Sequence, residues 1–421
     1  MANELSTSQH EPTPTNSYGK RKPQIKKQDL YMLMALWMEQ SPWAITTTDK
    51  ERVVGAVFVQ PNDRVLSVDC SRSNDGSIVH GAIRALLKYP GQVEGCYVYL
   101  SRQPCAHCVK MLVQSAVKKV FYLPLKPEKD EQEENESVDA LFKVSPVSRE
   151  VYVPNITEGD LDELESANNK NLYGTRRIKR GESIASKVEW DVESVPPEDT
   201  YEWKEWKELK NADEIAGWNE YSDQEIKQQV NEDMEMFFKW YVKGILETGE
   251  KEKMAWKKVK ANSNAGDEQE VGTPAGKVAN HLSRLAQLLS NRTDDPNTGV
   301  GCVITIEKEI VAIGWNGFPS EALYGNHPRG SKEDQAKKKY PHIIYALENA
   351  LLFRNRRELD ECVVYHTIVP SDEGISMLYQ LGAKVLVLPS FQVEKVREEN
   401  PLFHDLYLQK ENLDVYSHKK D

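Results

Sequence analysis

The stretch Val79-His80-Gly81-Ala82, followed by Pro104-Cys105-Ala106-His107-Cys108, decides how this chain is read. Cys105 and Cys108 stand three apart at the expected start of a helix, which turns both sulfurs to one face. A helix N-terminus carries partial positive charge and lowers thiol pKa values, and the thiolate is the form that binds a metal. His80 opens the preceding helix, 25 positions upstream of Cys105, and offers a nitrogen as third ligand. Three such ligands with one position left open describe a tetrahedral zinc site, so one zinc ion is expected here. His107 is the second choice, because its place between the cysteines points it elsewhere on the helix. A redox dithiol at Cys105/Cys108 and a merely capping His80 are the plainer alternatives.

Working outward, Val53–Val59 and Val65–Val68 alternate as strands around the turn Pro61-Asn62-Asp63. Ile78–Lys88 and Ala106–Ala116 have helical spacing, with strands at Tyr97–Leu100 and Val120–Leu123. Upstream, Asp29 is expected to cap a helix running to Gln40 with Leu30, Met34, Leu36 and Trp37 on its apolar face. Strands alternating with helices predict a layered α/β sheet.

The same order recurs. Val300-Gly301-Cys302-Val303 answers Val54-Gly55-Ala56-Val57, Ile344-Tyr345-Ala346-Leu347 answers the His80 stretch, and Pro370-Ser371-Asp372-Glu373-Gly374 answers the Cys105 stretch. The distance from Tyr345 to Ser371 is 26 positions. An internal duplication is the simplest account. Tyr345, Ser371 and Gly374 stand where the three ligands would be, so no second metal site is expected; His342 and His366 are the nearby candidates for a rebuilt one.

The 421 residues carry a formal net charge of -12, and 126–170 alone hold 13 acidic against 5 basic side chains. Such a balance argues against a nucleic-acid-binding surface, which needs Lys and Arg to neutralise phosphate. No run approaches the roughly 20 apolar residues of a membrane span and no secretion signal opens the chain. A cytoplasmic or nuclear setting is expected, and the Lys20-Arg21-Lys22 cluster could serve import. The expected organisation is a disordered tail over 1–28, a first unit over 29–125 and an acidic flexible linker over 126–200. A helical segment rich in Trp follows over 201–277, then a second unit over 278–404 and a polar tail over 405–421. The aromatics of the Trp-rich segment, Trp203, Trp206, Trp218, Phe237, Phe238, Trp240 and Trp256, read as packing rather than as a base-stacking platform.

The second unit resembles deoxycytidylate (dCMP) deaminases through Arg292-Thr293-Asp294-Asp295-Pro296-Asn297-Thr298-Gly299-Val300-Gly301, Gly314-Trp315-Asn316-Gly317-Phe318-Pro319 and Lys339-Tyr340-Pro341. The first is similar through Asp29-Leu30-Tyr31, Leu36-Trp37-Met38-Glu39 and Ser101-Arg102-Gln103-Pro104-Cys105. The resemblance implies two cytidine-deaminase-like three-layer α/β/α domains, each a mixed five-stranded sheet between helices. It also implies zinc-dependent hydrolytic deamination of a deoxycytidine nucleotide, assembly into oligomers, and a nucleotide pocket lined by Arg292 and Asn316.

That family's pattern is H-x-E followed by P-C-x-x-C, the Glu moving the protons that zinc cannot carry. Here Ala82 and Leu347 hold the Glu positions. Losing such a group costs ~10²–10⁴ in rate. No acidic residue lies within four positions of Ala82, and Glu348 is one residue late, turned about 100° away. No catalytic residue is therefore assigned. The leading expectation is a pseudoenzyme that holds zinc in its first unit, keeps a nucleotide-shaped pocket in its second, and works by binding or by regulating an active relative within a homo- or hetero-oligomer. The rival is an active deaminase in which a carboxylate of the middle segment or of a partner chain replaces the lost Glu. A nucleic-acid-binding module is the third reading, disfavoured by charge.

Overall fold

A computed structural model describes residues 25–46, 52–74, 77–129, 131–156, 204–206, 224–241, 256–259, 273–293, 295, 298–319, 343–389, 391, 393–409 and 414–418. The expected tail over 1–24, most of the linker, Trp203, Trp218, Lys339-Tyr340-Pro341 and His342 lie outside these residues.

Helix α1 (Lys27–Glu39) precedes strands β1 (Gly55–Val59) and β2 (Val65–Cys70), a two-stranded ribbon of β3 (Arg72–Asn74) and β4 (Ser77–Val79), and helix α2 (Gly81–Lys88). Ile78, expected in the helix, belongs to that ribbon. Then come β5 (Tyr97–Leu100), α3 (Ala106–Gln114), β6 (Lys119–Tyr122), α4 (Gln132–Lys143) and β7 (Ser148–Val151). The first sheet has the order β2-β1-β5-β6-β7, with β1 antiparallel to both neighbours and β5, β6 and β7 parallel.

Helix α5 (Gln224–Tyr241), strand β8 (Trp256–Val259) and helix α6 (Thr273–Ser290) lead into β9 (Gly301–Ile306), β10 (Glu309–Trp315), α7 (Ala346–Leu352), β11 (Val363–His366), α8 (Asp372–Gln380), β12 (Val385–Leu388), α9 (Val393–Glu399) and β13 (Asp414–His418). The second sheet repeats the pattern as β10-β9-β11-β12-β13, then adds β8 antiparallel at its edge. The expected five strands are thus six on this side, the extra one drawn from the middle of the chain. Strands β1 and β9 are buried along their whole length, which is why they are continuous apolar runs rather than alternating ones.

Further sequence expectations change. The polar tail expected over 405–421 instead supplies β13, which pairs with β12 and β8, and buries Tyr407, Leu408 and Val415 in the second core. The acidic run after 125 was expected to be flexible, yet α4 and β7 complete the first sheet, with Val138, Phe142 and Val147 buried in its core. Charge dominates the composition there and hides Val138 and Phe142, four apart on α4, and Val147 just before β7. Asp29 does not cap α1. The helix starts earlier, and Asp29 is buried in its first turn, accepting hydrogen bonds from the Tyr152 hydroxyl (2.6 Å) and the Asn155 N–H (3.2 Å).

Helix α1 is buried on every side from Asp29 to Met38, because the first sheet covers one face and α6 the other. One apolar core runs through α1, α5 and α6, including Trp206, Phe237, Phe238, Leu282, Leu285 and Leu289. Both helix–sheet contacts are close enough to exclude a side chain. A Cβ on Gly55 would lie 1.8 Å from the Ala35 carbonyl oxygen, and one on Gly301 would lie 1.8 Å from that of Ala286.

Where the units meet, Trp37 stacks on His281 with ring centroids 4.8 Å apart and planes 5° from parallel, and its Nε1–H donates to the His281 carbonyl (3.1 Å). The sheet edges are joined by charge: Asp69 pairs with Arg72, Arg84 and Lys88, and Glu309 pairs with Arg84 and Lys88 across the seam. Burial drives His281 down to about 3, and its Nε2 has no hydrogen-bond partner. A depressed folded-state pKa contributes stability that is complete above the unfolded value near 6.5 and is lost as pH falls from there toward 3. The urea midpoint should therefore drop between pH 6.5 and 4, by the equivalent of a few kcal/mol at most. His281→Gln should flatten that slope; an unchanged slope in the variant would remove His281 as the cause.

Candidate metal centre

His80 is the residue just before α2 and Cys105 the residue just before α3; both have extended backbone, so each side chain turns inward ahead of its helix. Cys108 follows one turn into α3 and is fully buried. Their donor atoms converge, with His80 Nδ1 at 3.2 Å from Cys108 Sγ and 3.4 Å from Cys105 Sγ. These are the three residues expected from spacing. His107 is not among the converging donors.

A fourth donor joins them that the sequence did not disclose. Glu128 is buried, its Oε1 lies 3.0 Å from His80 Nδ1, and its Oε2 accepts the Cys105 N–H at 3.0 Å. The donors of His80, Cys105, Cys108 and Glu128 all lie within 4.8 Å of one another. This corrects the expectation that no carboxylate adjoins the centre. Glu128 stands 23 positions past Cys105, one acid in a run of acids, and no helical spacing links it to the site. It is delivered by the turn after β6.

The clustered acids draw a positive charge into the site, here a proton on His80. Burial alone would lower His80, but hydrogen bonds to Cys105 and Glu128 and the Glu128 charge overcome it and raise the imidazole to about 10. Burial would raise Glu128; the hydrogen bond and charge of His80 hold it below the ordinary carboxylate range. Cys105 is held below the ordinary thiol range because the Cys108 thiol donates to it, while Cys108 is pushed up by that same donation and by burial. One nitrogen, two sulfurs and one carboxylate oxygen form a zinc donor set. Zinc bond lengths of 2.0–2.3 Å give tetrahedral edges of about 3.3–3.8 Å, and the separations of His80 Nδ1 from Cys105 Sγ (3.4 Å), Cys108 Sγ (3.2 Å) and Glu128 Oε1 (3.0 Å) lie within or a few tenths below that range.

Among its described residues the second unit holds nothing comparable. Tyr345 and Ser371 again precede α7 and α8, but the Ser371 hydroxyl accepts the Gly374 N–H (3.2 Å) as an ordinary cap. Leu347 closes over the remaining space: a Cβ on Gly374 would lie 2.9 Å from its Cδ2. Glu348 turns back to accept the Tyr345 N–H (3.3 Å). His366 is buried, its Nδ1 hydrogen-bonded to the Ile368 carbonyl (2.7 Å), and burial lowers it to about 4. Among the described residues the only cluster able to hold a metal is the one in the first unit.

Asn316 is buried and its amide is fully engaged. Its Oδ1 accepts the Val300 N–H (2.7 Å), and its Nδ2 donates to Asp295 Oδ2 (2.9 Å) and the Thr298 carbonyl (2.8 Å). It braces the loop that leads into β9. Arg292 is half-buried and its charge acts on the Tyr31 phenol.

Residues 25–124 match the cytidine and deoxycytidylate deaminase zinc-binding region. The chain is 24% identical over 414 residues to the cytidine and dCMP deaminase domain-containing protein 1 of Danio rerio, covering 90% of this chain and 86% of that protein. It is 35% identical over 131 residues to a probable deoxycytidylate deaminase of Caenorhabditis elegans, covering 30% of this chain and 65% of that one. It is 31% identical over 113 residues to an uncharacterized deaminase in the luxG 3'region of Aliivibrio fischeri, covering 27% of this chain and 73% of that one. The chain belongs to the cytidine and deoxycytidylate deaminase family. No described helix is long and apolar enough to cross a membrane.

Proposed function

We propose that the chain is a zinc-binding member of this family that has lost deamination and works by binding, bracing a deoxycytidine-nucleotide-handling assembly rather than turning substrate over. The observation that carries this is the place of Glu128. A carboxylate that serves as proton carrier stands one small molecule away from the metal. Glu128 Oε1 is 3.0 Å from the His80 nitrogen that faces the two sulfurs, a hydrogen-bond distance only a few tenths of an ångström short of the edge between two ligands of one zinc. With it the donor set numbers four, and a filled tetrahedron is a structural site, whereas a catalytic site keeps one position open. Zinc would supply a rigid cross-link between α2, α3 and the loop after β6. Ala82, where the family pattern has its Glu, offers only a methyl group, and Leu347 seals the equivalent place in the second unit.

The second reading has Glu128 behind it as well, since it is the carboxylate that a non-standard proton shuttle would need. The two readings part in one assay. Pure chain with dCMP, dCTP and cytidine, followed by ultraviolet absorbance, should show no turnover beyond a zinc-stripped control. Zinc-dependent turnover that Glu128→Gln abolishes would establish the shuttle and end the structural reading.

A further inference from the structure

Glu128 owes its place to the backbone of Lys126–Glu128, and that backbone is held at every residue. The Lys126 carbonyl accepts from Arg102 Nη1 (3.2 Å), the Pro127 carbonyl from Arg52 Nη1 (3.3 Å), and the Glu128 carbonyl from the Arg52 N–H (3.0 Å). The Glu128 N–H donates to the Gln103 carbonyl (3.0 Å). One carboxylate ties these holders together. Glu205 Oε1 accepts the Lys126 N–H (3.1 Å) and Arg102 Nη1 (2.6 Å), and it stands 3.8 Å from Arg52 Nε. Arg102 completes the network by forking onto Glu39 at 2.8 and 3.0 Å.

Glu205 lies 79 positions beyond Lys126 in sequence, in the short described segment 204–206. Trp206 beside it is fully buried in the core shared by the two units, which fixes the segment in depth. Within the network two guanidinium groups face two carboxylates, all four almost wholly buried. Removing the Glu205 charge takes away an anion shared by two buried guanidinium groups, the same two that hold the loop carbonyls.

We propose that Glu205 is a positioning residue of the metal centre: through Arg102, Arg52 and the Lys126 N–H it keeps Glu128 among the donors, so that the middle segment of the chain latches the site closed. This rests on the four-donor reading above. Residues behind the ligands of a metal site change its affinity by about 10–100-fold when altered.

The test loads full-length chain with Co²⁺ in place of zinc and reads the visible ligand-field bands, alongside metal release to a chelator. Glu205→Gln should weaken the four-coordinate bands and release metal about 10–100-fold faster, with Glu205→Asp falling between it and the wild type. Glu128→Gln sets the scale. If it leaves the bands unchanged, the four-donor reading fails; if it changes them while Glu205→Gln does not, the latch alone is overturned. Because Glu205→Gln could fail to fold, the wild type supplies an independent measurement. Coupling is reciprocal, so stripping the metal should speed amide exchange in peptides containing Lys126–Glu128 and Lys204–Trp206. Equal exchange at 204–206 with and without metal overturns the proposal.

Discussion

Cys108→Ala should leave the purified chain without the one zinc per chain expected of the wild type, and should lower its first thermal transition by roughly 10 °C. The size follows from geometry. Cys108 is fully buried and lies one helical turn from Cys105, so it cannot be replaced by a neighbouring donor or by solvent. The four donors come from three separate places, the starts of α2 and α3 and the turn after β6, so an ion among them ties the loop Lys126–Glu128 to two helices. Without it, Glu128 is a buried carboxylate whose cationic partner among the described residues of the site is His80. Chelation of the wild type should reproduce the shift, and the effect should be absent when the chelator is added to the variant. A wild-type chain that carries no metal, or melts identically with and without it, would remove the metal from the account of this fold.

Gly301→Ala should cost at least ~3 kcal/mol, enough to unfold the second unit or reduce it to a minor population. An added methyl would meet the Ala286 carbonyl oxygen at 1.8 Å and the Ser290 nitrogen at 3.0 Å, both backbone atoms of α6 that no rotamer change can displace. To admit it, α6 must lift off β9, and α6 carries Leu282, Leu285 and Leu289 in the core shared with α1. Gly55→Ala should do the same to α1 through the Ala35 carbonyl. Gly276→Ala is the control. It sits in α6 with nothing within 4 Å of its added carbon, and should stabilise by about 0.5–1 kcal/mol through helix propensity. Urea midpoints for the three variants would decide the point, and a neutral Gly301→Ala would mean that the helix–sheet contact is looser than described.

The repeated order of strands and helices could be read from periodicity, because β1 and β9 are unbroken apolar runs and the flanking helices keep apolar residues three and four apart. The three donors His80, Cys105 and Cys108 could be read because each lies at or just inside the start of a helix, at a spacing that local geometry converts into proximity. Glu128 could not. It enters from a turn whose path depends on β6 and on Arg52, Arg102 and Glu205, residues up to 79 positions distant from the turn itself. The acidic composition around it pointed to a solvated linker, whereas three buried apolar residues fold that stretch onto the first sheet. Asn316 shows what local sequence leaves out: its amide is hydrogen-bonded to Val300, Asp295 and Thr298 of its own loop.

By itself the amino-acid sequence determined the layered α/β architecture, the recurring order of strands and helices, the three candidate metal donors nearest in sequence, and the presence of Ala82 and Leu347 where the family pattern has Glu. Those are matters of local periodicity and spacing, which a linear string records. Only the tertiary structure decided that the acidic run belongs to the first sheet, that α1 is sealed against α6, and that Glu128 stands beside His80, Cys105 and Cys108 as a fourth candidate donor. Each of those depends on desolvating groups far apart in the chain, and burial is a property of the packed molecule.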